Sequence, residues 1–477
     1  MFVDREQDLA DLNDILSWPG AQLILISGRR RVGKTTLLIE WARRSGYPLV
    51  YWVASRSSAG VLLQDFSQAL WRHTHPNDVM PTSFSYDIWT EACRQVTALA
   101  ANQRLIVILD EFAYAADADP SLPSLLQNAW DHHLKQSQVC LVLSGSHISL
   151  MNELQTHAAP LYGRFTAQLR VDPLPFRALK EFLPRYDTEK RVAVYAILGG
   201  IPAYLEHFSD RHTLRENLER TVMRRTGMFR NEPPVLIGDL VREPRYYAAI
   251  LRAIAAGRHT PDEIEKAGTV PPGNVGKYLS KLVELYLVER RLPATVPREQ
   301  RTTQSRYYLR DPFLRFYYRF LEPNQDLLEL SLTDALWSLI NEQLRAFIGA
   351  TAFEELCREW TLVQGRTGKL PFVPQTIGGH WSPTVQVDVA AVSWREKAIL
   401  LGECKWGTGP VSRQVVSELI EDKTPLVLAA LPDGKTGWRV YHALFARAGF
   451  TEAATALARE HGIMLVDLEQ LGRELEG

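Results

Sequence analysis

Gly28, Gly33, Lys34 and Thr35 stand in the order G-x-x-x-x-G-K-[ST] within GRRRVGKT, residues 28–35. The two glycines let backbone N–H groups curl around phosphate oxygens, and a helix starting at the lysine adds its partial positive end. In this pattern Lys34 neutralises β- and γ-phosphate charge and the Thr35 hydroxyl holds Mg2+. Arg29, Arg30, Arg31, Val32 and Thr36 complete the loop around the nucleotide. A second pair follows the apolar run LIVIL. There Asp110 would coordinate the Mg2+ through water, and Glu111 would orient or deprotonate the attacking water. LSGSH then offers Ser144 or Ser146 as a contact to the γ-phosphate.

Another constellation lies near the end of the chain. AILLGECKW puts Glu403 and Lys405 two apart at the end of an apolar strand, so they share a face while Cys404 turns to the core. TVQVDVAAV puts Asp388 on the polar side of a second strand, and a hairpin turn around SWREKA brings the two strands together. Two carboxylates bind a divalent cation through oxygen, and a lysine beside them positions the water that the cation activates. The plain alternative is a set of solvated, charged strand ends.

Elements must hold these groups in place. AQLILIS, PLVYWVA, RLIVILDEF and VCLVLSGS read as buried strands, with TTLLIEWARRSG a helix that ends at Gly46. Strands alternating with helices imply a parallel sheet covered on both faces. From about 175 to 235 the chain turns helical and Arg-rich. Residues 245–310 read as three short helices followed by a hairpin-like pair, the pattern of a winged helix. Lys277, Lys281, Arg290, Arg291, Arg298, Arg301 and Arg306 are its candidate phosphate contacts, and a scaffold role is the alternative. YYLRDPFLRFYYRFL reads as a packed helix rather than a base-stacking face. The C-terminal part is α/β again, with a helix over 350–362, the two strands above, a helix over 411–422 and PLVLAAL as a strand.

Composition limits the class without naming it. The chain of 477 residues is 46% hydrophobic and 23% charged, with a formal net charge of −1, so no global basic field announces nucleic acid. Four cysteines form no CxxC pair, which fits a reducing compartment and argues against structural zinc. No apolar run approaches a membrane span and the N-terminus has no signal-peptide core, so a cytoplasmic protein without membrane contact is expected.

FVDRE at the N-terminus, GRRRVGKTTLL, LDEF, LSGS, LYGR and LGGIPAYL together resemble the archaeal-type P-loop ATPase family, which is related to the AAA and STAND groups. The resemblance implies that Phe2, Arg5 and Glu6 pack near the nucleotide base. It places Gly199, Gly200 and Pro202 in a helical lid, with Pro202 counted among the nucleotide contacts, and offers Arg164 as a γ-phosphate sensor or finger. It runs over essentially the whole chain. Its C-terminal part is similar to PD-(D/E)xK nucleases, implying Asp388, Glu403 and Lys405 as catalytic residues. Glu354 or Glu355 in TAFEELCREW would join Asp388 and Glu403 as metal ligands, with Glu355 taken as the ligand. Gln414 is an auxiliary candidate. The motif's proline is absent, since Gln386 and Val387 precede Asp388.

The expected fold class is α/β. A P-loop NTPase parallel sheet (1–170) carries a helical lid (171–240), then come a winged helix (241–325) and a restriction-endonuclease-like α/β domain (340–477). The expected function is a Mg2+-dependent ATPase coupled to ATP-regulated DNA cleavage or processing, with ATP and DNA as partners and a homo-oligomer left open. The alternatives are a STAND-like nucleotide switch and a DNA-tethered ATPase without nuclease activity.

Overall fold

The computed structural model describes residues 2–241, 243–268, 270–297, 302–432, 434 and 436–477. Arg298 and Arg301 lie outside the described residues. The chain divides into two compact units. One runs to Leu174 and takes in Ile201–Tyr204; the other holds Pro175–Gly200 and Leu205–Gly477. Most of the segment expected as a lid therefore packs with the second unit.

The first unit is built on strands β1 (Gln22–Ser27), β2 (Leu49–Val53), β3 (Leu105–Asp110), β4 (Val139–Gly145) and β5 (Ala167–Arg170). They form one sheet in the order β2-β3-β4-β1-β5, and every pairing is parallel. Strands covered by helices on both faces need near-continuous apolar sequence, and QLILIS, LIVILD and VCLVLSG supply it. Leu23, Ile24, Ile106, Val107 and Val142 are fully buried. β4 lies between the strand that leads into the glycine loop and the strand that ends in Asp110. β5 was not expected: four residues of alternating exposure give too little pattern to read.

In the second unit, helices Pro244–Ala255, Pro261–Lys266 and Val275–Glu284 precede an antiparallel pair, β6 (Val288–Arg291) and β7 (Arg306–Leu309). The aromatic run that follows is a helical stretch whose Phe313, Phe316, Tyr317, Tyr318 and Phe320 are buried, so those rings pack rather than present a stacking face.

The last sheet runs β12 (Met464–Asp467), β11 (Arg439–Ala446), β10 (Ala398–Lys405), β9 (Gln386–Ser393) and β8 (Thr376–Trp381). β8, β9 and β10 are antiparallel neighbours, and β11 and β12 join in parallel. PLVLAAL is not a strand. Thr424–Ala429 is a helix, continuing Arg413–Ser417 through a π-helical turn at Glu418–Lys423. A short apolar run reads equally well as either element. Here Val416, Leu419 and Val427 bury one face of a helical crossover while Leu426 is exposed, and β11 provides the parallel strand. Among the described residues no helix is long and apolar enough to cross a membrane.

Candidate nucleotide site and a second acidic site

The glycine loop follows β1 and ends where the helix Lys34–Ser45 begins. A Cβ at Gly28 would come within 2.6 Å of the Val171 carbonyl oxygen, so only glycine fits there. Gly33 is left-handed at φ 96° and caps the helix without a side chain, so no side chain competes for the first amides. Arg31 is left-handed too, at φ 68°. Val32 is fully buried and anchors the loop. Lys34 folds back onto the loop, its Nζ donating to the carbonyls of Gly28 at 2.9 Å and Arg29 at 3.3 Å. Burial lowers its pKa, while Glu111 and Asp110 pull the other way.

Asp110 is 1% exposed and sits at the end of β3. Its Oδ2 accepts from the Thr35 hydroxyl at 2.7 Å and from the Tyr51 hydroxyl at 3.0 Å, and its Oδ1 accepts from the Glu111 backbone N–H at 3.0 Å. Burial, then the Asp110 charge, pushes the Tyr51 pKa up, which keeps it a donor. Tyr51 carried no signal in the sequence, because PLVYWVA reads only as a strand. Glu111 adopts φ 52°, an unfavourable conformation for a non-glycine residue that here turns its carboxylate towards the end of β4. There the Ser146 N–H and hydroxyl donate to Glu111 Oε2 at 3.0 and 2.8 Å. Ser146 thus holds the candidate base, and the Ser144 hydroxyl is buried without a hydrogen-bond partner among the described residues.

The remaining expected nucleotide contacts divide. Arg5 is buried and donates to the Val32 carbonyl at 2.8 Å and to Asp8 at 3.0 Å, so it braces the loop from beneath. Phe2 lies under the Arg44 guanidinium at 5.2 Å, against the helix Lys34–Ser45. Pro202 sits beside Gly33, where a Cβ would meet it at 3.8 Å. Two residues on, the Tyr204 hydroxyl accepts from Arg29 at 3.0 Å, and Arg31 lies 6.0 Å from its ring. Arg30 donates to the Tyr114 hydroxyl at 2.6 Å, and Thr36 is exposed in the first helical turn.

For Arg164 the expectation of a γ-phosphate sensor within the same chain is corrected. It forms a two-toothed pair with Asp131, closest at 2.7 Å, and also donates to the carbonyls of Pro160 and Tyr162. Thr166 bonds to Leu23, near the start of β1, so Arg164 lies at the opposite end of the sheet from the loop that follows Ser27. The separation along the strand is about 17 Å, beyond the reach of an arginine side chain. Arg164 cannot sense the γ-phosphate of its own chain.

In the second unit the β9–β10 register pairs Val389 with Gly402, so the next residues, Asp388 and Glu403, stand opposite each other on one face. Asp388 Oδ2 accepts from the Cys404 N–H at 3.0 Å. Glu403 is 3% exposed, and its two oxygens accept from Lys405 at 2.7 Å and Lys423 at 2.6 Å. Lys423 was missed, since it comes from the π-helical turn. Arg358, also missed, donates to Glu354 at 2.6 Å and to the Asp388 carbonyl at 2.9 Å. Burial and then the charge of Asp388 raise the Glu354 pKa to about 7. Burial and then Glu403 raise that of Asp388. Crowded carboxylates of this kind are relieved by a divalent cation or by protons.

Glu355 is not in this group. Its Oε1 accepts from Arg291 at 2.9 Å and Arg315 at 3.1 Å, and those arginines hold its pKa down to about 2 against the effect of burial. Neighbouring residues on a helix point about 100° apart, and the phase turns Glu354, not Glu355, towards Asp388. Among the described residues no three His, Cys, Asp or Glu side chains converge as a ligand set. Gln414 donates to Glu418 on its own helix, at 2.8 Å.

Glu354 makes stability pH-dependent. Its carboxyl binds a proton up to about pH 7 in the folded chain, against an ordinary value of 4.5, so the folded state holds more protons in between and loses stability as pH rises through that window. In chelator-treated protein, Glu354→Gln is expected to flatten the fall in Tm between about pH 5 and 7, by an effect of order 1–3 kcal/mol. An unchanged slope would assign the titration elsewhere.

Ala294 and Gln304, between β6 and β7, pack against β8. Ala294 N–H donates to the Gly379 carbonyl at 2.9 Å, Thr376 donates to the Ala294 carbonyl at 2.9 Å, and Trp381 Nε1 donates to the Gln304 carbonyl at 2.8 Å. Arg291 is paired with Glu289 and Glu355, Arg306 lies 5.0 Å over Trp381, and Lys281 pairs with Glu284. Lys277 and Arg290 are exposed.

Comparison with known proteins agrees with the first unit. Residues 2–208 match the family described as an ATPase domain predominantly from Archaea, and residues 317–418 match one described as archaeal and bacterial proteins of unknown function. An uncharacterized protein of Methanocaldococcus jannaschii is 32% identical over 408 residues, covering 85% of this chain and 88% of that one. An uncharacterized ATP-binding protein of Pyrococcus abyssi is 27% identical over 238 residues, 45% of this chain and 72% of that one. Among solved structures, the Walker-type ATPase of Pyrococcus abyssi is similar with a TM-score of 0.52 and 21% identity, covering 67% of this chain and 96% of that one.

Proposed function

Since the chain belongs to the family of ATPases found predominantly in Archaea, we propose that it hydrolyses ATP with Mg2+ in its first unit and uses the nucleotide state to regulate metal-dependent DNA cleavage in its second. On the ATPase side, Thr35 and Asp110 offer oxygen donors 2.7 Å apart, of the kind Mg2+ takes. Lys34 and the loop amides neutralise phosphate charge, and Glu111 aligns water for attack on the γ-phosphorus. Arg164 takes no part at the nucleotide of its own chain.

The cleavage reading rests on one observation: Asp388 stands across the antiparallel strand pair from Glu403 and feels the charge of Glu354 from a helix, with Lys405 on the strand of Glu403. Asp388 and Glu403, with Glu354 beside them, would hold the metal, which supplies an activated water and charge stabilisation when bound. Lys405 would position that water once it leaves Glu403. The three helices and the β6–β7 pair form, in this reading, a winged helix that touches DNA through Lys277 and Arg290, since Arg291 and Arg306 are spent within the protein. The setting is cytoplasmic.

Incubation of the purified full chain with plasmid and branched DNA, in Mg2+ or Mn2+ with ATP, ADP or a non-hydrolysable analogue, tests this reading. Metal-dependent nicking that changes with the nucleotide is expected; intact DNA under every condition would remove cleavage from the function. The pairing of both Glu403 oxygens with lysines favours the second reading, an ATPase that binds DNA without cutting it.

A further inference from the structure

A cavity of about 360 Å3 opens in the second unit between the end of helix Pro244–Ala255, the β6–β7 pair and the helices on either side of Gly349–Phe353. We propose that it is a binding site for a small phosphate monoester carrying an apolar body. Arg291, Arg315 and Arg319 line it, with Glu355 as the carboxylate among them. Arg291 and Arg315 converge on the same oxygen of Glu355, at 2.9 and 3.1 Å, and Glu289 pairs with Arg291 as well. Arg319 is different: it donates to the side-chain carbonyl of Gln343, a neutral group, at 2.7 Å. Positive charge is therefore left over on the side of the cavity where Arg319 and Arg315 stand, and guanidinium forks match phosphate oxygens in pairs.

The rest of the wall is of another kind. Ile254, Phe347, Ala346 and Ala350 give it an apolar side. Tyr308 is already covered, by His259 with ring centres 4.3 Å apart and by Arg291 at 4.5 Å, so it forms floor rather than a vacant stacking face. His259 Nδ1 donates to the Tyr307 carbonyl at 3.0 Å, and burial lowers its pKa, so it adds no charge at neutral pH. The volume falls in the range of small-molecule sites, and a cationic end with an apolar wall selects an anion that has a hydrophobic part. The residues are distinct from the phosphate loop and from the Asp388 group, so this inference does not depend on cleavage.

Isothermal titration of the full chain carrying Lys34→Ala, which disables the phosphate loop, tests it with phenyl phosphate and inorganic phosphate as probes. Saturable 1:1 binding of phenyl phosphate is expected, tighter than that of inorganic phosphate. Arg319→Ala should weaken it about tenfold or more, the loss of one charge-assisted contact. Ala346→Trp should abolish it by filling the mouth while leaving every arginine in place. Both substitutions fall on exposed positions, and unchanged Tm values would show that the fold survives. Absence of saturable binding up to about 10 mM, binding unchanged in both variants, or equal affinity for inorganic phosphate would each overturn the proposal.

Discussion

Glu111→Gln is expected to bind ATP as tightly as the parent chain and to hydrolyse it about 10²–10⁴-fold more slowly, the usual contribution of a positioned general base. The geometry makes binding and turnover separable. Lys34 and Thr35 bond to Gly28, Arg29 and Asp110 rather than to Glu111, whose charge reaches Lys34 only through space. The Glu111 carboxylate is aimed instead by the Ser146 N–H and hydroxyl, which its left-handed backbone turns it to meet. A glutamine accepts the same two hydrogen bonds through its carbonyl oxygen, so the fold and the loop are preserved while the basic oxygen is lost. Single-turnover hydrolysis measured beside nucleotide binding checks this. Normal turnover would remove Glu111 as the base; equal loss of binding and turnover would make it part of the cradle.

Asp388→Asn should produce opposite changes in activity and stability. Metal-dependent cleavage is expected to fall about 10³-fold or more, since a catalytic metal supplies several kcal/mol of barrier lowering and Asp388 is one of its proposed ligands. Stability in chelator should hold or rise. Burial and the charge of Glu403 oppose ionisation of Asp388, so a neutral amide removes a repulsion, and it still accepts from the Cys404 N–H. A residue kept only for structure would do the reverse and lower Tm when replaced. Tm and plasmid nicking measured on one preparation separate the two cases. Wild-type cleavage in the variant would sink the nuclease reading.

Much of this was legible because it depends on short periods. The glycine loop and LDEF each lie within a few residues, and the strand alternation in TVQVDVAAV and AILLGECKW places Asp388 and Glu403 on one face. What was not legible depends on phase or on distant partners. Glu354 and Glu355 differ by one helical step, and nothing local tells which of them meets Asp388. Tyr51 reaches Asp110 only because β2 and β3 are neighbours. Arg164 follows a family-like motif, yet the parallel pairing of β5 with β1 carries it to the wrong end of the sheet for its own nucleotide. PLVLAAL is long enough for a strand and equally good for two helical turns, and the π-helical turn before it disguises the continuing apolar face.

That π-helical turn holds one residue more than an α-helical turn would. A helix accommodates one surplus residue by widening a single turn, and every side chain downstream keeps its direction only as long as the surplus stays. Lys423 reaches Glu403 from the last residue of the Glu418–Lys423 turn, with Val427 in the core just beyond it. Loss of one residue there would rotate both by about 100°, removing a cation and a core contact together. In an alignment of relatives, a single-residue gap between Val416 and Val427 would therefore mark the chains in which Glu403 answers to one lysine instead of two.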